Sequence, residues 1–152
     1  MTGTDMQTWL QDELTDTSTA WSPDAYLRAI NYAQTTVAKL RCDKNDAQFI
    51  FPLSIVNGQD EPTNYYKFAG TSPIEIRNLG SAGRKWYYTG SVQPSVKYYR
   101  LPDELTALTD ALQVPPVWNK AVMLTAKIRL ESQHGIKSLT DDKEELAKLM
   151  AV

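Results

Sequence analysis

Acid–base and nucleophilic chemistry near neutral pH needs a histidine or an activated thiol, and the 152-residue sequence holds one of each, His134 and Cys42. One cysteine makes no internal disulfide, and one cysteine with one histidine falls short of the three or four ligands of an ordinary zinc site. His134 stands beside Gly135 at the foreseen end of a helix, where an imidazole suits the last carbonyls, and is read as structural. Cys42 follows Arg41 at the negative pole of another helix, which disfavours a thiolate, and is read as a packing or surface thiol. Asp141/Asp142 and Glu144/Glu145 are close enough to suggest a carboxylate pair, but they fall at a helix start that rewards negative charge, so capping and solvation explain them. Gly80 and Gly83 are followed by strand-like residues instead of a helix, so they form a turn and not a phosphate cradle. No catalytic, cofactor-binding or metal-ligating residue is assigned, and the chain is not expected to be an enzyme.

Two features of the central segment suit association instead. Arg77, Arg84, Lys85, Lys97 and Arg100 lie between Arg77 and Leu101 with no Asp or Glu among them, a local basic strip that suits nucleic-acid phosphates, an acidic neighbouring subunit or a solvated hairpin. The pairs Tyr65-Tyr66, Tyr87-Tyr88 and Tyr98-Tyr99 each put one ring on either side of a strand. One side is core; the other is covered within the subunit or meets another chain, as tyrosines at interfaces do.

The elements that position these residues predict an α+β fold: a bundle of about four to five helices with a central antiparallel β-rich insertion. A single domain over 1–152 is expected, with helices in 1–41 and 102–152 and the insertion at 47–101. Thr4 and Gln7 fit a capping box, with Met6, Trp9, Leu10 and Leu14 on one stripe, and the Thr/Ser-rich run Thr15 to Ala20 breaks that helix. Ser22 as N-cap, Pro23 and Asp24 open a second helix of about five turns, whose apolar positions run from Tyr26 and Leu27 through Ile30, Ala33 and Val37 to Leu40. Ten of the fifteen aromatics and five of the seven glycines fall in the insertion, with strands predicted over 48–56, 65–69, 74–79, 85–89 and 96–101. Pro52 assigns the first of these to an edge or a bulge. Leu105, Leu108 and Leu112 fit either a short helix or an extended connector. Pro115-Pro116 open a helix with Val117, Ala121, Leu124 and Ile128 on one face and a stop at Gly135, and Thr140 caps a last helix carrying Leu146, Leu149 and Met150.

A net charge of −2 supplies no global field toward nucleic acid or an acidic membrane. No stretch of 18 apolar residues and no basic, then apolar, leader is present, so a soluble protein made in a reducing cytosol, without membrane association, is expected.

Tyr26-Leu27-Arg28-Ala29-Ile30-Asn31-Tyr32-Ala33-Gln34, behind a short N-terminal helix, is similar to the Leu/Ile-Asn-x-Ala-Gln helix of the head-tail connector, or adaptor, proteins of tailed bacteriophages. Tyr98-Tyr99-Arg100-Leu101-Pro102, then Leu105, Leu108, Asp110 and Pro115 leading into an Ala-containing helix, resembles the same family in the same order. The resemblance implies a structural virion subunit at the head-tail interface, assembled in the bacterial host's cytoplasm. Its ring, a dodecamer, docks on the portal protein after DNA packaging, surrounds the double-stranded DNA channel and joins the head to tail or head-completion proteins. It also implies portal contact through Leu146, Leu149 and Met150, with Arg77, Arg84, Lys85, Lys97, Arg100, Tyr87 and Tyr88 toward the channel or the next subunit. A different class of function fits the middle of the chain by itself: a monomeric module whose aromatic, basic sheet binds single-stranded nucleic acid or carbohydrate.

Overall fold

The computed structural model describes residues 1–14 and 21–152, so the Thr15 to Ala20 break lies outside the described residues. The fold is α+β, and the chain divides into two compact units, Met1–Arg41 with Pro102–Val152, and Cys42–Leu101.

The first unit holds α1 (Gly3–Glu13), nearly all of α2 (Pro23–Asp43), α3 (Asn119–Gln133) and α4 (Thr140–Ala151). Helix α1 starts earlier than its sequence suggests. Thr2, not Thr4, is the N-cap: its hydroxyl accepts the Asp5 N–H at 3.2 Å while the Asp5 carboxylate accepts the Thr2 N–H at 2.8 Å. The reason lies in distant sequence, because the Gly3 and Thr4 N–H groups donate to the carbonyls of Asp110 (3.0 Å) and Leu108 (2.7 Å), satisfying donors that a helix start leaves open. A Cβ at Gly3 would stand 2.8 Å from the Leu108 carbonyl oxygen, so this close approach requires glycine. Helix α2 begins as its caps predict, with the Ser22 hydroxyl accepting the Ala25 N–H at 3.2 Å, and ends at Asn45, whose φ of 60° is the left-handed conformation Asn tolerates. Its buried face, Tyr26, Ile30, Ala33, Val37 and Ala38, shares the unit's core with Met6 and Leu10 of α1 and Ala121, Val122, Leu124 and Leu130 of α3.

Helix α3 stops at Gly135 (φ 68°): the Ile136 N–H donates to Glu131 O and the Gly135 N–H to Ser132 O, the paired bonds of a Schellman turn. Its foreseen face is only partly right. Ala121 and Leu124 are buried, but Val117 precedes the helix in a 3₁₀ turn and is 64% exposed. Thr140 is likewise the first residue of α4 and not its cap; Leu139 holds the cap position with no side-chain bond.

The second unit holds β1 (Ile50–Ser54), β2 (Gln59–Asp60), β3 (Tyr65–Phe68), β4 (Ile74–Asn78), β5 (Arg84–Tyr88) and β6 (Ser95–Arg100). These form two antiparallel three-stranded sheets, β1-β6-β3 and β2-β5-β4. Pro52 sits on edge strand β1 opposite Lys97, where its missing N–H costs no ladder bond. The Gly80–Gly83 segment closes the β4–β5 hairpin. Gln48 and Phe49 belong to a 3₁₀ turn instead of the first strand, and β2, polar and two residues long, has no counterpart among the predicted strands.

Trp86, fully buried, is the centre of this unit's core, which both sheets supply: Val96, Tyr98, Tyr65, Phe68 and Leu53 from one, Ile74, Ile76 and Tyr88 from the other. The ring centroids of Phe68, Tyr65 and Tyr98 lie 4.9, 5.1 and 6.1 Å from that of Trp86. A bulge at Tyr66 lets Tyr65 and Phe68, three residues apart, face the same way.

Candidate functional site

Asn31 and Gln34 hold the segment that the leucine spacing left undecided. It is an extended connector. Asn31 Oδ1 accepts the Leu105 N–H at 2.8 Å and Asn31 Nδ2 donates to Leu105 O at 2.9 Å, so one amide reads both backbone groups of one residue. Gln34, 0% exposed, donates from Nε2 to Asp103 O at 3.1 Å and to Asn31 Oδ1 at 3.2 Å, and accepts the Gln113 N–H at 3.2 Å. Two amides on one helix face therefore fasten both ends of the connector, and Leu105 and Val114 are buried along it. Asp110 closes a turn inside it by accepting the Thr106 and Ala107 N–H groups, which, with the Thr106 hydroxyl, hold its carboxyl below the ordinary range.

Three cations of the basic strip, Arg77, Arg84 and Lys85, are met by nearby acids. In register, Arg77 stands opposite Lys85 and Lys85 opposite Asp60, on one face of β4-β5-β2. Lys85 pairs with Asp60, and Arg77 forms a two-pronged contact with Glu75, both bonds 3.1 Å, while its guanidinium lies 4.1 Å from the centre of the Tyr87 ring. Arg84 donates to Glu61 at 2.9 Å, and the same carboxylate oxygen accepts the Trp86 indole N–H at 3.2 Å. Asp60 and Glu75 thus offset Lys85 and Arg77 on that face, while Glu61 offsets Arg84 on the opposite, Trp86 side. Lys97 is exposed on β6, and the Arg100 guanidinium lies 5.5 Å from the Phe51 ring centre. The tyrosines divide as their alternation predicts, but few face outward. Tyr65, Tyr88 and Tyr98 pack around Trp86, Tyr66 donates to Asp43 at 2.8 Å, Lys67 covers the Tyr99 ring at 5.1 Å, and Tyr87 lies under Arg77.

In the helical unit, Leu146 and Met150 line an apolar cleft of about 300 Å³ with Leu40 of α2 and Ile128 of α3, while Leu149, half-buried, lies off it. Behind α4 is a buried charge cluster. Lys127 of α3, its side chain 4% exposed, has its ammonium 2.7 Å from Asp142 of α4 and 3.5 Å from Glu13 of α1. Burial opposes its charge, but Asp142 and then Glu131 and Glu13 outweigh it and hold the ammonium above its ordinary range. Burial pushes the Glu131 carboxyl upward against the pull of Lys127, with Asp142 adding to the rise. Sequence reading missed this cluster because its members come from three helices; its local trace is the spacing of four between Lys127 and Glu131 on α3.

His134 Nδ1 accepts the Trp21 indole N–H at 2.5 Å, which puts the imidazole proton on Nε2, so the approach of Nδ1 to Leu130 O at 3.2 Å is not a hydrogen bond. Burial pushes the Cys42 thiol up to about 11, the opposite of what a nucleophile requires. Among the described residues no three His, Cys, Asp or Glu side chains come together as a metal site, and no helix is long and apolar enough to cross a membrane. No protein-family model matches the chain, and no curated protein matches it.

Proposed function

We propose that the chain is a structural subunit of a phage head-tail connector ring, docking on the portal after DNA packaging and joining it to the tail, with double-stranded DNA passing through the ring. The observation that carries this reading is the work done by Ile30-Asn31-Tyr32-Ala33-Gln34, the segment on which the resemblance rests. Ile30 and Ala33 are buried in the helical core while Asn31 and Gln34 fasten the connector that follows the second stretch of resemblance. Leu105, which belongs to the second pattern of resemblance, is therefore held by Asn31 of the first, and this supports reading the two as one pattern. The reading assigns no reaction to the chain: its surfaces associate.

Light scattering on the purified protein, alone and mixed with its cognate portal complex, tests the proposal. Assembly at one copy per portal subunit is the expected result, and a persistent monomer with no portal binding would sink it. Leu149 and Met150 are the first positions to change in that assay; normal portal binding by a variant lacking both removes them as the anchor.

A further inference from the structure

The cleft beside α4 is one part of a longer groove. A second cleft of about 180 Å³ shares Thr125, Ile128 and Leu146 with it, and a third of about 390 Å³ shares Thr36 with the first and Tyr32 with the second. Helix α2 forms one wall through Tyr32, Thr36 and Leu40, α3 the floor through Thr125 and Ile128, and α4 the other wall through Leu146 and Met150. Tyr32 and Leu40, each 47% exposed, stand two turns apart, about 12 Å at the helical rise, the reach of apolar anchors spaced i, i+4 and i+7 on another helix. Thr36, Thr125 and Ala147 are small enough to let that helix sit close.

The rim differs in charge from the chain as a whole. Arg28, Lys39, Arg129 and Lys143 border the groove against Glu104, while the full sequence carries a net charge of −2. None of the four cations is in an ion pair among the described residues; Arg129 lies over the Tyr32 ring at 4.6 Å. An apolar floor whose lining carries four cations against one carboxylate complements an amphipathic helix with acidic flanks. This chain's own acidic helices do not supply one. Met6 and Leu10 of α1 are fully buried in its core, and Leu146 and Met150 of α4 are the groove's own wall.

We infer that the α2–α3–α4 groove binds an acidic amphipathic helix of a partner protein. The inference rests on the docking role proposed above for α4 and names the chemistry of what docks there.

The test uses the full chain and two fluorescent peptides of about 14 residues, each with leucines at i, i+4 and i+7, one flanked by glutamates and one by lysines. Binding is read by anisotropy. The acidic peptide should bind about tenfold or more tightly than its basic twin, and should weaken by a similar factor with Lys39→Glu/Lys143→Glu or with Leu40→Glu, all exposed positions. Equal binding of the two peptides, no binding, or indifference to these substitutions overturns the inference. Concentration-dependent self-association abolished by Leu40→Glu assigns the groove to a second copy and overturns it too, as does duplex DNA bound through Lys39 and Lys143 in place of the peptide. Portal assembly measured on wild type separates the two proposals: failed peptide binding with intact portal assembly sinks the groove alone, and intact peptide binding without portal assembly sinks the connector reading alone.

Discussion

Asn31 and Gln34 are half of a polar pair whose other half is main chain, and that decides what their loss does. Removing either amide leaves backbone N–H and C=O groups of the connector without partners inside the protein, and an unpaired buried polar group costs about 1–3 kcal/mol. Gln34→Leu, which keeps the volume in a fully buried site, is expected to lower stability by that amount in denaturant titration, with Asn31→Ala similar. Because the two amides also bond each other, their double variant should cost less than the sum of the singles. Additive losses would mean that each holds the connector independently. Cys42 makes a second residue-scale test. With its thiol buried and pushed up to about 11, a disulfide reagent at neutral pH should modify it at the rate of unfolding and not at the rate of a free thiol, so its reaction rate should climb with denaturant. Fast labelling under native conditions would contradict that burial.

At the scale of elements, α4 is held to α3 by apolar contact and by charge, and the charge is uneven. Lys127 faces three carboxylates, Glu13, Glu131 and Asp142, within a largely buried setting. Glu131 is the one whose carboxyl is raised, so its contribution to stability is fully present below the ordinary glutamate range and is lost as pH rises through the raised value. Its ionised form is therefore the one that burial opposes and that Lys127 favours. Glu131→Gln should raise Tm at pH 7 and flatten the fall in Tm as pH rises above the ordinary glutamate range. An unchanged pH profile in calorimetry would show that Glu131 is not the group responsible. Such a cluster is illegible in sequence for the same reason that the acidic partners of the basic strip are: groups on different elements become neighbours only through register and packing. Asp60, Glu61 and Glu75 lie outside the Arg77–Leu101 window that defines the strip, yet two of them reach it through β2, an element too short and polar to show alternation. The features that were legible are local. Ser22-Pro23-Asp24 with a long apolar stripe fixes α2, Gly135 stops α3, and Pro52 marks an edge strand. The connector was not, because leucines spaced three and four apart look helical while the amides that hold it extended lie about seventy residues earlier.

For the whole molecule, the question that separates a subunit of an assembly from a nucleic-acid reader is whether the aromatic, basic sheet carries usable charge. Cations already held by carboxylates release few phosphate counterions, so they add little to the salt slope of binding to single-stranded DNA. Arg84 and Lys85 are in that condition, paired with Glu61 and Asp60, and Tyr87, which a base would have to stack on, is covered by Arg77. Substituting Arg84→Gln and Lys85→Gln together should therefore leave retention on immobilised single-stranded DNA unchanged at every salt concentration. Removing the acids should do the reverse. In an Asp60→Asn/Glu75→Gln variant, Lys85 and Arg77 lose their carboxylates, and retention should persist to higher salt, with the slope of log affinity against log salt steepening by about 0.7 for each cation that now meets a phosphate. Both positions are exposed surface pairs worth little to folding, so the comparison reads charge and not stability. Wild-type retention that falls with Arg84→Gln/Lys85→Gln would mean the ion pairs open for a ligand, and the sheet would then be a nucleic-acid face. Indifference to that change, with a gain on removing the acids, leaves the sheet as a self-contained folded unit and places the association surface on the helices.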